Sequence, residues 1–113
     1  MSPDDLEQNA RKASALLKAM ANERRLLILC YLAQGEMSVG ELERVVPLSQ
    51  SALSQHLARL RRDHLVSTRR EAQTIYYSLA GREAGVIMET LHALYCEPVK
   101  APLPPRAGEK VRA

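Results

Sequence analysis

Two short apolar segments, each opened by a serine and separated by a proline, constrain this chain more than any other feature. Ser38-Val39-Gly40-Glu41 has the form of a capping box, a hydroxyl with a glutamate three residues on. The helix it opens must be short, because Pro47 follows Val45-Val46 and bars continuation. Ser49 caps another helix, which runs through Leu53, Leu57 and Leu60 at helical spacing to about His64. The turn Val46-Pro47-Leu48-Ser49 between them has the length of a helix-turn-helix. Two short helices also adjoin by chance, so the flanking segments must decide what the pair is for.

Before the pair, Ser2-Pro3-Asp4-Asp5 reads as a helix start, with a cap, a first-turn proline and acids at the positive helix end. Leu6, Ala10, Ala13, Leu16, Leu17 and Met20 then recur at helical spacing, which predicts a first helix from Pro3 to about Ala19. Asn22 caps a second, whose run from Arg25 to Leu32 is apolar nearly all round and so is expected to be buried on most sides. Gly35 suits a left-handed cap at its end.

After the pair the period changes. Leu65-Val66-Ser67-Thr68-Arg69-Arg70 and Thr74-Ile75-Tyr76-Tyr77-Ser78-Leu79 are rich in strand formers, with Glu71-Ala72-Gln73 as a polar connection. A hairpin directly after the second helix of the pair is a wing. A last helix, from Gly81 or Arg82 to Tyr95, carries Val86, Ile87, Leu91, Leu94 and Tyr95 as its apolar stripe. The chain of 113 residues is thus one domain over residues 1–96, mainly α with a small β-hairpin, in the order α-α-α-α-β-β-α. Pro98, Pro102, Pro104 and Pro105 mark residues 97–113 as a flexible Pro-rich tail. With no Trp or Phe and only four Tyr, the core must be aliphatic, which favours packed helices. Helices on so small a core often finish burying their apolar faces by dimerising.

The net charge of +3 is a modest excess, but Arg59, Arg61, Arg62, Arg69 and Arg70 crowd one short stretch. The first apolar stretch, from Ala13, is broken by Lys18, Asn22, Glu23, Arg24 and Arg25, so it is not read as a signal peptide, and no run is long enough for a membrane span. The expectation is a cytoplasmic protein. Its two cysteines are then not a structural disulfide framework by default; they are core residues, or a reactive or metal-binding pair. A thiol enzyme is disfavoured, because there is no Cys-x-x-Cys, no catalytic His/Asp arrangement and no phosphate-binding glycine loop.

The fourth helix carries the chemistry. Opposite its leucines stand Ser49, Gln50, Ser51, Ser54, Gln55, Arg59 and Arg62, with no acid from Ser49 to Arg62. Gln bonds adenine bidentately, Ser contacts base edges or phosphates, and Arg serves guanine or phosphate. An ordinary solvated helix face, or that of a protein-interaction adaptor, carries more Glu and Lys. His56 either touches a base or phosphate or sits at the helix edge against backbone. Arg69, Arg70, Gln73 and Thr74 would bring the hairpin to the DNA backbone or minor groove, against the alternative of a solvated hairpin.

The run from Ala19 to Leu29 resembles the second-helix signature of the ArsR/SmtB repressors, and Leu48 to Leu60 resembles their recognition helix. The likeness continues through Tyr76-Tyr77-Ser78-Leu79 and covers roughly residues 10 to 95. It implies a winged helix-turn-helix homodimer held by its first and fifth helices, which binds double-stranded operator DNA and lets go when an inducer is sensed. The departures narrow the subtype. Ser38 and Gly40 stand where one class of metal sensor carries the thiols of a Cys-Val-Cys box. The last helix offers Glu83, Glu89, His92 and Glu97 but lacks the Asp-x-His start of a second, zinc-binding class. No metal or other cofactor is therefore expected.

Cys30 in the second helix and Cys96 at the end of the fifth resemble the dithiol pair of the sulfide- and persulfide-responsive subgroup that includes BigR, SqrR and HlyU. The resemblance implies a repressor released when the two thiols form a disulfide or polysulfide bridge on meeting reactive sulfur or an oxidant. Chemically, one thiol takes up the oxidant and the other resolves it. A bridge between these helices would shift two recognition helices that must span one turn of DNA, about 34 Å. Apolar neighbours are expected to raise the Cys30 pKa, and His92 lies one turn before Cys96. The alternatives are inert packing thiols, or an arsenite- or metal-sensing repressor that uses the same two cysteines as ligands with help from His92 or Glu97.

Overall fold

The structure, a computed structural model, describes residues 1–96; the stretch read as a tail lies outside the described residues. Five helices and three strands follow in the order α1 (Pro3–Met20), α2 (Glu23–Gln34), β1 (Met37–Ser38), α3 (Val39–Val45), α4 (Gln50–Arg62), β2 (Val66–Glu71), β3 (Thr74–Leu79) and α5 (Arg82–Tyr95). This is the expected winged helix-turn-helix with one added element. The strand β1 pairs with β3, Met37 opposite Tyr77 and Ser38 opposite Tyr76, so the wing is a three-stranded sheet in the order β1-β3-β2. Two residues are too few to show an alternating pattern, and the strand overlaps the cap of α3.

The caps form where the sequence puts them. Ser2 and Ser38 each head a reciprocal capping box, with Asp5 and Glu41 as partners. Asn22 Oδ1 accepts from the backbone N–H groups of Arg24 and Arg25, and Ser49 Oγ from that of Ala52. Four boundaries differ from expectation. The first helix continues to Met20. Gly35 takes φ +152° and ψ 167°, an extended conformation open to glycine alone, rather than the left-handed helical one. The recognition helix stops at Arg62, because Asp63 caps it and His64 turns left-handed at φ 61°. Glu71 belongs to β2, which leaves Ala72 and Gln73 as the turn, Ala72 at φ 55°.

Ile28, Leu29 and Leu32 of α2, Leu42 of α3, and Leu53, Leu57 and Leu60 of α4 form one buried cluster with Met20, Val66, Ala84 and Met88. Each fully buried Leu or Ile there contributes roughly 1.5–3 kcal/mol. Burial of α2 is less complete than its composition implies: Leu26, Leu27 and Tyr31 are half-buried, and Cys30 is exposed. The helix α5 is buried only through Ala84 and Met88, while Val86, Leu94 and Tyr95 lie open, Tyr95 at 81% exposure. On α1, Leu6 and Leu17 are likewise more than half exposed. No described helix is long and apolar enough to cross a membrane.

A candidate DNA-binding face and a dithiol groove

With Leu53, Leu57 and Leu60 directed into the core, the 3.6-residue period turns Ser51, Gln55 and Arg62 directly away from it. All three are exposed, as are Ser49, Gln50, Ser54 and Arg59. Arg59 Nε donates to Asp63 Oδ2 at 3.2 Å, so the first acid after the recognition helix engages its last-turn cations. Arg62 lies 4.0 Å from the same carboxylate. His56 is half-buried on the flank of α4, and burial, then the charge of Arg25, pushes its pKa down. It therefore sits at the helix edge, inside the ring of exposed polar groups.

Strand pairing sorts the wing residues by face. Val66 with Leu79, Thr68 with Tyr77 and Arg70 with Ile75 share the inner face, which continues the core outward. Ser67 with Ser78, Arg69 with Tyr76 and Glu71 with Thr74 share the outer one. On the inner side a groove of about 610 Å³ runs between α4 and the sheet, lined by Ser54, Ala58, Arg61 and Arg62 and by Ile75 and Tyr77. The DNA-contacting set expected from sequence omits Arg61. Its signal is there to find, because Arg61 stands seven residues after Ser54, on the same helical line. Gln73 and Thr74 are exposed at the tip.

Arg69 is otherwise engaged. Its Nε and Nη2 donate to Glu36 Oε2 and Oε1 at 2.8 and 2.7 Å, and its Nη1 donates to Glu71 Oε2 at 2.8 Å. The guanidinium also lies 4.4 Å above the Tyr76 ring. The Glu36 hydrogen bonds, then that of Glu71, push the Arg69 pKa up, and Arg69 holds the Glu36 carboxyl down.

A larger groove, of about 1000 Å³, separates α2 from α5. Cys30, Leu26 and Ala33 line it from α2; Val86, Leu91, His92, Tyr95 and Cys96 line it from α5 and its end. Both thiols are free and exposed. Burial, then the nearby charge of Cys96, pushes the Cys30 thiol up. The expected direction is thus present, but the largely apolar groove causes it rather than a closed core. Among the described residues, no three His, Cys, Asp or Glu side chains gather as a metal site.

An acid-free, exposed helix after a tight turn, flanked by a β wing, defines a winged helix-turn-helix DNA-binding regulator. The model of the bacterial regulatory protein arsR family matches residues 22–68. The transcriptional activator HlyU of Vibrio cholerae is 60% identical over 97 residues, 86% of this chain and 90% of that one. Its reduced structure superposes with a TM-score of 0.80 at 61% identity, over 82% of this chain and 98% of that one. The biofilm growth-associated repressor of Agrobacterium fabrum is 46% identical over 93 residues, covering 82% and 80% of the two chains. A homodimeric winged helix-turn-helix domain from Mycobacterium bovis matches with a TM-score of 0.69 at 30% identity, over 83% and 86%. The chain belongs to the ArsR family and is a transcriptional regulator, similar to HlyU and to the biofilm growth-associated repressors.

Proposed function

We propose that the chain is a dithiol-switched repressor. It binds operator DNA as a homodimer in the reduced state and is released when Cys30 and Cys96 become bridged. One observation carries the reading: Cys30 on α2 and Cys96 at the cap of α5 line one open groove, and the raised Cys30 pKa agrees with a thiol neighbour there. The open apolar positions at Leu6 and Leu17 and at Val86, Leu94 and Tyr95 support a dimer through α1 and α5, as does the homodimeric relative.

The inducer class is reactive sulfur. A thiolate attacks the outer sulfur of an organic persulfide, forming a cysteine persulfide and expelling the organic thiolate. The second thiolate then attacks the cysteine sulfur of that group, closing a disulfide and expelling hydrosulfide. The sulfane sulfur is reduced and the two thiols are oxidised. A second sulfane sulfur added before closure leaves a trisulfide instead. A bridged state that binds operator worse by ~1–3 kcal/mol is released ~5–150-fold more readily.

On the DNA side, Ser49, Gln50, Ser51, Ser54 and Gln55 enter the major groove, with Arg59, Arg61 and Arg62 along the backbone and Arg70, Gln73 and Thr74 from the wing. His56 supports α4 from its flank. Intact-mass measurement of the reduced protein after glutathione persulfide, peroxide or arsenite tests the switch. A bridge with or without added sulfur, formed with persulfide and absent from Cys30→Ser and Cys96→Ser, is the expected result. An arsenic adduct that releases DNA, with no persulfide response, would establish metalloid sensing through the same thiols.

A further inference from the structure

Of the two adjacent wing arginines, we infer that Arg70 meets the DNA and Arg69 positions the wing. Arg69, Glu36, Glu71 and Tyr76 form a clasp across the whole sheet. The guanidinium starts on β2, passes 4.4 Å above Tyr76 on the central strand β3, and closes in bidentate fashion on Glu36 beside β1. Glu71 takes the remaining side of the fork. Its Nε and both terminal nitrogens each donate to a carboxylate, so three of its five N–H donors are already committed within the protein.

Charge points the same way. Two carboxylates against one guanidinium leave the clasp itself net negative, which disfavours a phosphate at Arg69. Arg70 pairs with Ile75 on the inner face, the face that with Arg61 and Arg62 of α4 borders the groove beside the recognition helix. Glu36 follows Gly35, the cap of α2, and stands two residues before Ser38, the cap of α3. The clasp therefore ties the wing to the joint between the thiol-bearing helix and the helix-turn-helix. This assignment rests on the reading of the hairpin as a DNA-contacting wing.

The test measures binding of the reduced full-length protein to a labelled duplex, selected by the wild type from a random library, across a salt series. Ordinary electrostatics predicts that Glu36→Gln, which removes an acid and frees Arg69, tightens binding. The clasp predicts the opposite: Glu36→Gln and Arg69→Gln each weaken binding roughly three- to tenfold, as expected for a networked bidentate pair rather than an isolated surface one. Their salt slopes stay at the wild-type value. Arg69→Lys fails to rescue, because an ammonium cannot fill the fork. Arg70→Gln weakens binding and lowers the slope by about 0.9 for each phosphate that Arg70 neutralises in the wild type.

Tighter binding by Glu36→Gln, or a fall in slope in Arg69→Gln like that of Arg70→Gln, overturns the assignment. If Arg70→Gln alters neither affinity nor slope, the wing does not touch DNA, and that reading falls together with the clasp's role. An Arg70 effect with wild-type binding in both clasp variants sinks the clasp alone. In the free protein, slow exchange of the Arg69 Nε–H that disappears in Glu36→Gln reports the clasp even if a variant binds no duplex; fast exchange in the wild type overturns it.

Discussion

Arg25 on α2 donates its Nε to the carbonyl oxygen of Ala19 at 2.8 Å, closing the last turn of α1 from the next helix. Its Nη2 reaches the Lys18 carbonyl at 3.4 Å. The joint holds α1, a proposed dimer helix, to the helix that carries Cys30. Burial, then the charge of Arg59, lowers the Arg25 pKa. Arg25→Ala leaves buried carbonyl capacity unmet and should cost ~1–2 kcal/mol, read as a lower urea midpoint with an unchanged slope.

Arg25 also sets a pH dependence through His56, whose pKa burial and then Arg25 push down. The unfolded chain binds this proton at a higher pH than the folded one. Stability is therefore full above the ordinary histidine pKa and falls as pH drops from there through the depressed folded value. His56→Gln should flatten urea stability across that window. In Arg25→Ala the His56 titration, followed by NMR, should move up but stay below its ordinary value, since burial is the larger cause.

Ser38 is buried at the head of α3, and its hydroxyl accepts from Glu41 N–H at 3.1 Å while Glu41 Oε1 accepts from Ser38 N–H at 3.0 Å. The backbone and side-chain hydrogen bonds of Ser38 hold the Glu41 carboxyl down. Ser38→Ala should lose about 1 kcal/mol in thermal or urea unfolding, and Ser38→Asp much less. The Glu41 contribution is present above the ordinary carboxylate range and lost as pH falls through its lowered pKa. A Glu41 titration unmoved by Ser38→Ala would contradict the reciprocal cap.

The pH profile of Cys30 alkylation separates its two causes. Its thiol should ionise above the usual range, because burial and then Cys96 disfavour the thiolate. Cys96→Ser should bring the midpoint down without reaching the usual value. A midpoint identical in the two proteins means that burial alone raises the Cys30 pKa, and the bridge then rests on the shared groove and the mass measurement.

The open apolar faces make a prediction about assembly. Leu94→Glu on α5 and Leu17→Glu on α1 place a charge on residues 63% and 54% exposed in the protomer. Folding should survive, and sedimentation should show monomer in place of dimer, with operator binding at least tenfold weaker because two half-sites are no longer joined. A stable dimer in both variants would move the interface elsewhere.

Much of this architecture is legible in sequence because it is written at short range. The cap at Ser2, the capping box at Ser38, the stop at Pro47 and the Leu53-Leu57-Leu60 stripe all act within about four residues, the reach of a helical turn. The polar face from Gln50 to Arg62 follows from the same period. Strand β1 is not legible in this way, since two residues carry no period and its partner Tyr77 lies far along the chain.

What the sequence alone determined is therefore the five helices and the hairpin, their order and the recognition helix's polar face. Only the tertiary structure decided how neighbours in sequence divide their tasks. Arg69 and Arg70 are identical as letters, but pleating sends them to opposite faces, and a carboxylate 33 residues away occupies one of them. Likewise Cys30, set in an apolar run, opens onto a groove because α5 packs through Ala84 and Met88 and leaves its other side uncovered. Such contacts join distant segments through packing and charge, and they leave no spacing in the chain to read.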